Sequence, residues 1–197
     1  MKIKQVGLNA VNFVSSAHIM KTKENDLVVL VNQAGRRTGT AEKMKAHIGG
    51  WLHRAFSVFI FNDKGEMLLQ QRAKTKYHFG GLWSNACCSH PRPGEKVLHA
   101  AKRRLREELG FETPLRLTDS IQYSFYDPVS GLTEKEFDYL LFGKYAGAIN
   151  MHPDEVMAVQ WMKYADLYQQ IKRHPEKFTP WFKLILQEKQ LLQKIRG

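Results

Sequence analysis

Short runs of apolar and β-forming residues predict a series of strands. Leu27–Val31 is apolar throughout and ends at the polar turn N-Q-A-G. Residues 55–61 are rich in β-forming side chains, and they precede the turn N-D-K-G and the strand-like run 67–71, which predicts a hairpin around 63–65. Three more strands are predicted farther along the chain, at 115–126, 136–145 and 155–161.

Before Gly110 the apolar residues recur with the period of a helix. We expect Gly110 to end this helix as its C-cap. With Leu98 set at zero and about 100° added per residue, one side of the helix is an apolar stripe. The stripe consists of Val97, Leu98, Ala101, Leu105 and Leu109. Glu108 falls inside it at about −80°, whereas Glu107 falls on the solvent side. A buried carboxylate needs a compensating partner; the alternative is a frayed helix end that turns Glu108 to water.

The two ends of the chain differ in their patterns. Residues 1–24 show no periodicity and are interpreted as an N-terminal extension, followed by one domain at 25–197. A helix is predicted to begin near Ala165, and the pair Thr179-Pro180 is typical of the start of another, at 181–195. Strands around one central helix, with helices added late, predict an α/β (α+β) fold built around a sheet.

Composition narrows the class of protein. The chain has 197 residues with 43% hydrophobic content, enough for one core, and no apolar run approaches a membrane span. The start of the chain has too short an apolar run, broken by Asn9 and Asn12, for a signal peptide. The only two cysteines are adjacent, which indicates free thiols, a reducing compartment and a cytoplasmic location.

The formal net charge of +11 allows two interpretations, nucleic-acid binding or attraction of a small phosphorylated substrate. Many lysines are scattered, as on an ordinary solvated surface. The denser basic positions bracket the segment 83–110, which contains both cysteines, His90 and Glu108. That placement favours a local anionic ligand. An RNA-binding module would need aromatic residues interleaved with a basic face, and here the aromatics lie mostly in apolar strand patterns.

The segment ending at Gly110 resembles a Nudix box, G-x5-E-x7-R-E-U-x-E-E-x-G-U, where U is apolar. The matching positions are Glu95, Arg103, Leu105, Glu107, Glu108, Gly110 and Phe111. Two positions depart from the pattern, because Ser89 replaces the first glycine and Arg104 replaces the glutamate after the arginine. Hydrolytic members use that glutamate to hold metal, so the departures argue against routine pyrophosphohydrolysis, which remains the alternative function.

Further motifs make the chain similar to the type I isopentenyl diphosphate isomerases over about 27–181. They occur in order as G-T-x-E-K, A-H and L-H, Q-R-A-x-x-K, N-x-x-C-x-H-P, E-x-E, D-E-V-M-x-x-Q-W and F-x-P-W. The resemblance implies a Nudix fold, with a mixed sheet between helices, and interconversion of isopentenyl and dimethylallyl diphosphate through a tertiary carbocation. It also implies a small-molecule diphosphate as partner, with no nucleic acid and no membrane, and a monomer or weak homodimer.

The resemblance assigns the proton chemistry to four residues. Cys88 and Glu136 form the acid–base pair, Trp181 offers its ring to the carbocation, and Tyr123 lies in the pocket near Glu136. Each has an ordinary alternative. A free cysteine is most often a small buried hydrophobe, and Tyr123 and Trp181 are also suited to core packing.

The resemblance further implies two metal sites. One divalent ion (Mn²⁺, Zn²⁺ or Mg²⁺) is held by His47, His53, His90, Glu134 and Glu136. The alternative for E-K-E is an exposed alternating strand. A Mg²⁺ bound with the substrate diphosphate would use Glu108, and that ion would compensate the carboxylate. The cations of the diphosphate clamp are Lys43, Arg72, Lys76 and Arg104. Without the motif around them, these would be ordinary solvated side chains.

Overall fold

The computed structural model describes residues 26–187, which form nine strands and four α-helices. The extension predicted at 1–24 and the last part of the helix predicted at 181–195 lie outside the described residues. The elements are β1 Leu27–Val31, β2 Arg37–Glu42, α1 Lys43–Gly49, β3 His53–Phe61, β4 Met67–Arg72, β5 Trp83–Asn85, β6 Cys87–Ser89, α2 Val97–Leu109, β7 Leu115–Asp127, β8 Leu132–Lys144, β9 Val156–Met162, α3 Tyr164–Arg173 and α4 Pro180–Gln187.

The mixed sheet is organised around β3, whose two edges are used differently. One edge pairs in parallel with β8 along the whole strand, from His53 opposite Glu136 to Phe61 opposite Lys144. The other edge is divided among β1, β6 and β4 in turn. Strand β4 then continues the sheet through β5 and β9, and β7 pairs antiparallel with β8. The interior of β3 is buried on both faces, as expected for a strand covered on both sides.

Successive residues of β3 point to opposite faces and enter two separate cores. Phe56, Val58 and Ile60 pack with Leu105 and Leu109 of α2. Phe59 packs on the other face with apolar residues of β7, β8, α3 and α4. The sheet therefore lies between helices, which confirms the predicted fold class. No helix within residues 26–187 is long and apolar enough to cross a membrane.

The strands predicted from their own sequence patterns are confirmed with small shifts at their ends, as are the hairpin and the helices that begin near 165 and at Pro180. Gly110 ends α2 with φ 75°, the left-handed conformation expected of a C-cap glycine. The pattern did not predict β2, α1, β5 or β6. β5 and β6 have three residues each and exist because they pair with distant strands, while β2 is mostly polar and α1 is only seven residues long.

The buried face of α2 is rotated from the predicted stripe. Leu98 is 38% exposed, whereas Ala100 and Ala101 are fully buried. The face is therefore centred near Ala101 and Glu108 rather than on Leu98. Two small residues let the helix approach the sheet closely, and a pattern weighted by large apolar side chains misses that contact.

We expect Leu105→Ala to lower the free energy of unfolding by about 2–5 kcal/mol, because it opens a cavity in a fully buried position. Leu98→Ala, on the same helix, should cost less than about 1 kcal/mol because its side chain is partly in water. Urea unfolding of both variants measures the difference. Equal losses would place Leu98 in the core and contradict the observed orientation of α2.

Candidate active site

A cavity lies where β6, β8 and the starts of α1 and α4 meet the 73–82 loop. Every cation predicted for the diphosphate clamp lines it, together with the thiol, both strand glutamates and the predicted aromatic ring. The lining residues are Lys43, Arg72, Lys76, Tyr77, His78, Cys88, Ser89, His90, Arg104, Glu134, Glu136 and Trp181.

Strand register brings these groups together. The parallel pairing of β3 and β8 places His53 beside Glu136. On the opposite edge of β3, Ser57 is paired with Cys88, and His90 follows directly after β6. The short helix α1 adds His47, which is fully buried.

Five side chains form a cluster with the composition of a metal site. They are His47, His53, His90, Glu134 and Glu136, and one ligand atom of each lies within 4.8 Å of all the others. Glu134 and Glu136 are 3% and 7% exposed, and Lys135 between them faces solvent. The alternative of an exposed strand is therefore wrong.

Backbone carbonyls orient two of the imidazoles. Nδ1 of His47 lies 2.7 Å from the carbonyl oxygen of Lys43, and Nδ1 of His53 lies 2.8 Å from that of Trp51. Because a carbonyl oxygen only accepts, each Nδ1 carries the proton and donates it. The Nε2 lone pairs are then free to bind a metal ion.

These Nε2 atoms converge on the carboxylates. His90 Nε2 lies 2.7 Å from Glu136 Oε1 and 3.2 Å from His53 Nε2. His47 Nε2 is buried and lies 3.2 Å from Glu134 Oε1, an oxygen that also contacts His78 Nε2. Imidazole nitrogens and carboxylate oxygens gathered this closely form a donor set suited to a divalent cation, so the site accommodates the predicted metal.

The charge of the cluster is negative. Burial would raise the pKa of Glu134, but His78 and His47 hold it well below its ordinary value. The pKa of Glu136 is also lowered, because His53 and His90 outweigh burial and the neighbouring Glu134. Burial lowers the pKa of His90 to about 4 despite its contact with Glu136. Two carboxylates beside a neutral imidazole leave charge for a cation to balance.

The adjacent cysteines point to opposite sides of β6. Cys87 is fully buried beneath α2, and its thiol donates to Glu108 Oε1 at 3.4 Å. Cys88 faces the cavity, donates to Asn85 Oδ1 at 3.0 Å and lies 3.5 Å from Ser57 Oγ. Burial and the nearby Asp138 raise the pKa of Cys88 to about 12, so it is a protonated thiol at neutral pH. Both cysteines are free.

Two aromatic side chains complete the wall around the thiol and the carboxylate. The Tyr123 hydroxyl donates to Glu136 Oε2, and its ring packs in the core. The residue therefore makes the hydrogen bond near Glu136 and also serves core packing. Trp181 is in the first turn of α4 and is 3% exposed. The Arg72 guanidinium lies 5.4 Å from its ring centre, which shows that a cation fits against this ring.

Glu108 is buried with its charge already compensated. It is 2% exposed, and its Oε1 accepts from Arg104 Nε at 3.1 Å and Nη2 at 2.6 Å, while Oε2 accepts from Gln70 at 3.3 Å. The frayed-end alternative is wrong. Arg104, rather than the predicted Mg²⁺, compensates this carboxylate. Binding of Mg²⁺ by Glu108 remains a prediction.

Several site residues were not predicted. Glu155 forms ion pairs with two clamp cations, Lys76 and, at 3.2 Å, Arg104. Tyr77 and His78 line the cavity, and His78 Nε2 contacts Glu134 Oε1. These residues lie in loops or just before a strand, where no periodic pattern marks them. The spacing of Arg104 and Glu108, four residues apart on one helix, was a visible signal for their pairing.

Comparison with known proteins agrees with this geometry. The NUDIX domain family model matches residues 51–182. An "Isopentenyl-diphosphate Delta-isomerase" of Halorhodospira halophila is 48% identical over 82% of this chain and 93% of its own length. The protein of the same name from Pectobacterium atrosepticum is 45% identical over 80% of this chain and 87% of its own.

The solved structure of DR0079 from Deinococcus radiodurans has a TM-score of 0.60 and 18% identity, covering 75% of this chain and 89% of that one. The MutT protein of Methanosarcina mazei has a TM-score of 0.57 and 18% identity, covering 74% of this chain and 96% of that one. At this level of identity, the two structures show a shared fold.

We expect Arg104→Met to lower the free energy of unfolding by about 3 kcal/mol, because it leaves Glu108 buried without its cation. Adding Glu108→Gln should recover part of that loss, with a coupling of about 1–3 kcal/mol in a double-mutant cycle. Arg103 and Glu107 have the same spacing on the exposed side of α2 and should couple by less than about 1 kcal/mol. Additive effects at Arg104 and Glu108 would contradict the buried ion pair.

We expect His53→Gln to weaken divalent-ion binding by at least about tenfold, because it replaces an oriented imidazole of the cluster. His99→Gln removes an exposed imidazole from α2 and should leave binding unchanged. Calorimetric titration of the metal-stripped proteins with Mn²⁺ and Zn²⁺ measures both. Wild-type affinity in His53→Gln would show that the cluster is not the metal site.

Proposed function

This chain belongs to the isopentenyl-diphosphate Delta-isomerase family of Nudix-domain proteins, and we propose that it interconverts isopentenyl and dimethylallyl diphosphate. One observation carries the proposal: a protonated thiol, Cys88, and an ionised carboxylate, Glu136, line the same buried cavity. An isomerase that moves a double bond must supply a proton at one carbon and remove one from another. Two groups in opposite proton states meet that requirement.

Cys88 and Glu136 each have a hydrogen-bonding neighbour that can affect their protonation. The hydroxyl of Tyr123 donates to Glu136 and provides a hydrogen-bonded route to the carboxylate. The thiol of Cys88 is held by Asn85 on the other side. Because the reaction is reversible, the group that donates in one direction accepts in the other.

The tertiary carbocation requires an electron-rich surface without water. We assign that surface to the ring of Trp181, which is buried and adjoins the cavity. A desolvated cation–π contact contributes about 2 kcal/mol. Confined to the transition state, that amounts to about a thirtyfold effect on rate. The cation–π geometry with Arg72 supports the assignment, although Arg72 itself is assigned to the diphosphate.

Four cations around one cavity support recognition of a diphosphate. Lys43, Arg72, Lys76 and Arg104 come from four separate parts of the fold, yet they all line the cavity. Burial and the neighbouring cations lower the pKa of Lys76 to about 8, although Glu108 opposes the shift. An anion between these cations would relieve their mutual repulsion. We assign the clamp to them and propose that Mg²⁺ joins the diphosphate near Glu108.

The cluster of three histidines and two glutamates would hold one further divalent ion. Imidazole and carboxylate donors together favour Mn²⁺ or Zn²⁺ over Mg²⁺. Such an ion would stabilise the ionised form of Glu136 and fix its orientation. The protein's own contribution is to orient the imidazoles through backbone carbonyls and to bury the carboxylates.

The fold alone is shared with pyrophosphohydrolases, so the reaction must be identified by its product. We expect the reduced, metal-replete protein to convert isopentenyl diphosphate to dimethylallyl diphosphate without release of phosphate. A hydrolase would instead release phosphate from nucleoside diphosphate derivatives. Absence of dimethylallyl diphosphate by chromatography would overturn the proposal. The cytoplasmic location and the monomer or weak homodimer remain predictions.

We expect Cys88→Ala to lower kcat by at least about a thousandfold, since it removes one of two proton-transfer groups. Cys87→Ala should keep most of the activity, because its thiol faces α2 and not the cavity. Steady-state kinetics of the two variants compares adjacent thiols on opposite sides of one strand. Equal losses would mean that the catalytic thiol has been assigned wrongly.

A further inference from the structure

A chain of buried hydrogen bonds joins the ring of Trp181 to the thiol of Cys88. Trp181 Nε1 donates to Ser84 Oγ at 3.1 Å, and Ser84 Oγ donates to Asn85 Oδ1 at 3.1 Å. The same oxygen of Asn85 accepts the thiol of Cys88 at 3.0 Å. Ser84 and Asn85 are 1% and 0% exposed, so water does not replace these bonds.

The direction of the chain follows from the donors and acceptors around Asn85. Its Nδ2 lies 3.1 Å from the carbonyl oxygen of Val58 and 3.0 Å from that of Cys87. Both of these partners only accept, so the amide nitrogen must face them and the amide oxygen must face Ser84 and Cys88. The Ser84 hydroxyl therefore gives its one proton to Asn85 and accepts from Trp181.

Ser84 has a third hydroxyl contact, which lies outside this series of hydrogen bonds. Ser84 Oγ lies 3.0 Å from the Thr179 hydroxyl, which is also fully buried. Because the proton of Ser84 is used on Asn85, Thr179 is the donor in this contact. Thr179 is not part of the path from the indole to the thiol, and Ser84 is held in β5 by its strand pairing with Gln70.

Ser84 Oγ also lies 3.8 Å from Cys88 Sγ. We infer that Ser84 is a positioning residue, which sets the distance and orientation between the Trp181 ring and the Cys88 thiol, both directly and through Asn85. The inference rests on the proposed function, in which both end groups act on the same small hydrocarbon unit. A thiol and a π face that serve one carbocation must keep a constant geometry. Ser84 is the one described side chain that accepts from the indole and donates to the amide that binds the thiol.

Ser84 suits this task through its chemistry and its place in the fold. It lies on β5 and is held by its pairing with Gln70 of β4, so the hydroxyl belongs to the rigid sheet. Trp181 belongs to α4 and Cys88 to β6. Strand β6 follows β5 after the single residue Ala86, whereas α4 is distant from both in sequence. The Ser84 hydroxyl thus links the position of the indole on α4 to that of the thiol on β6.

Kinetics of three variants tests the role. Ser84→Ala should lower kcat by about ten- to a hundredfold while KM stays within about threefold, since a small misplacement of reacting groups costs this much. Ser84→Thr keeps the hydroxyl and should recover most of kcat. Thr179→Val removes a neighbouring buried hydroxyl of the same network and should change kcat by less than about threefold. A Ser84→Ala enzyme with wild-type kcat, or one that differs only in KM, would overturn the inference.

The indole proton gives a test that does not need activity. In a ¹H–¹⁵N spectrum, the Trp181 indole signal, assigned by its loss in Trp181→Phe, should exchange slowly with D₂O in the wild type and in Ser84→Thr. It should shift and exchange faster in Ser84→Ala. Rapid exchange in the wild type would overturn the inference even if Ser84→Ala did not fold. A protein that forms no dimethylallyl diphosphate but has the protected indole signal would refute the proposed function and leave the hydrogen-bond chain intact.

Discussion

The candidate site depends on the unequal use of the two edges of β3. Its parallel pairing with β8 fixes His53 against Glu136, and the short stretch left for β6 on the other edge fixes Ser57 against Cys88. His53 and Ser57 are an even number of residues apart, so both side chains point to the same face. A metal-type cluster and a thiol thus share one side of one strand. A shift of a single residue in either register would turn one of them into the opposite core.

A second constraint is the concentration of buried charge around the cavity. Three carboxylates near the cavity have specific partners: Glu108 has Arg104, Glu155 has Lys76, and Glu136 has Tyr123 and His90. Glu134 is different, because its Oε1 meets two imidazoles, those of His47 and His78, in the same buried cluster as Glu136. Two carboxylates buried side by side among imidazoles are the physical reason to place a cation in the cluster, since buried charge of one sign is costly.

The parts of this structure that could be predicted are those whose cause is local. The apolar residues of β3 predict that strand by themselves, and Gly110 ends α2 because glycine readily adopts the left-handed conformation. β5 and β6 could not be found in this way, because three residues become a strand only when a distant partner is present. The resemblance to a family supplied the candidate residues around the cavity, while the contacts of Ser84 and Glu155 depend on how segments distant in sequence pack together. Leu98 shows the limit of periodicity, since the small side chains of Ala100 and Ala101 decided which side of α2 meets the sheet.

The departure of the helix from the hydrolase pattern has a physical consequence that the contacts of Arg104 make visible. A glutamate at this position would stand near Glu107, Glu108 and Glu155, and a group of carboxylates attracts metal ions. The guanidinium instead binds all three carboxylates and still lines the cavity. One substitution therefore removes a ligand, neutralises the buried Glu108 and adds a cation where a diphosphate would lie. The helix packs against β6 and presents a guanidinium, rather than a further carboxylate, to the cavity. The two cysteines lie in different environments, because side chains alternate along β6. The Cys87 thiol is directed to the helix and the Cys88 thiol to the cavity.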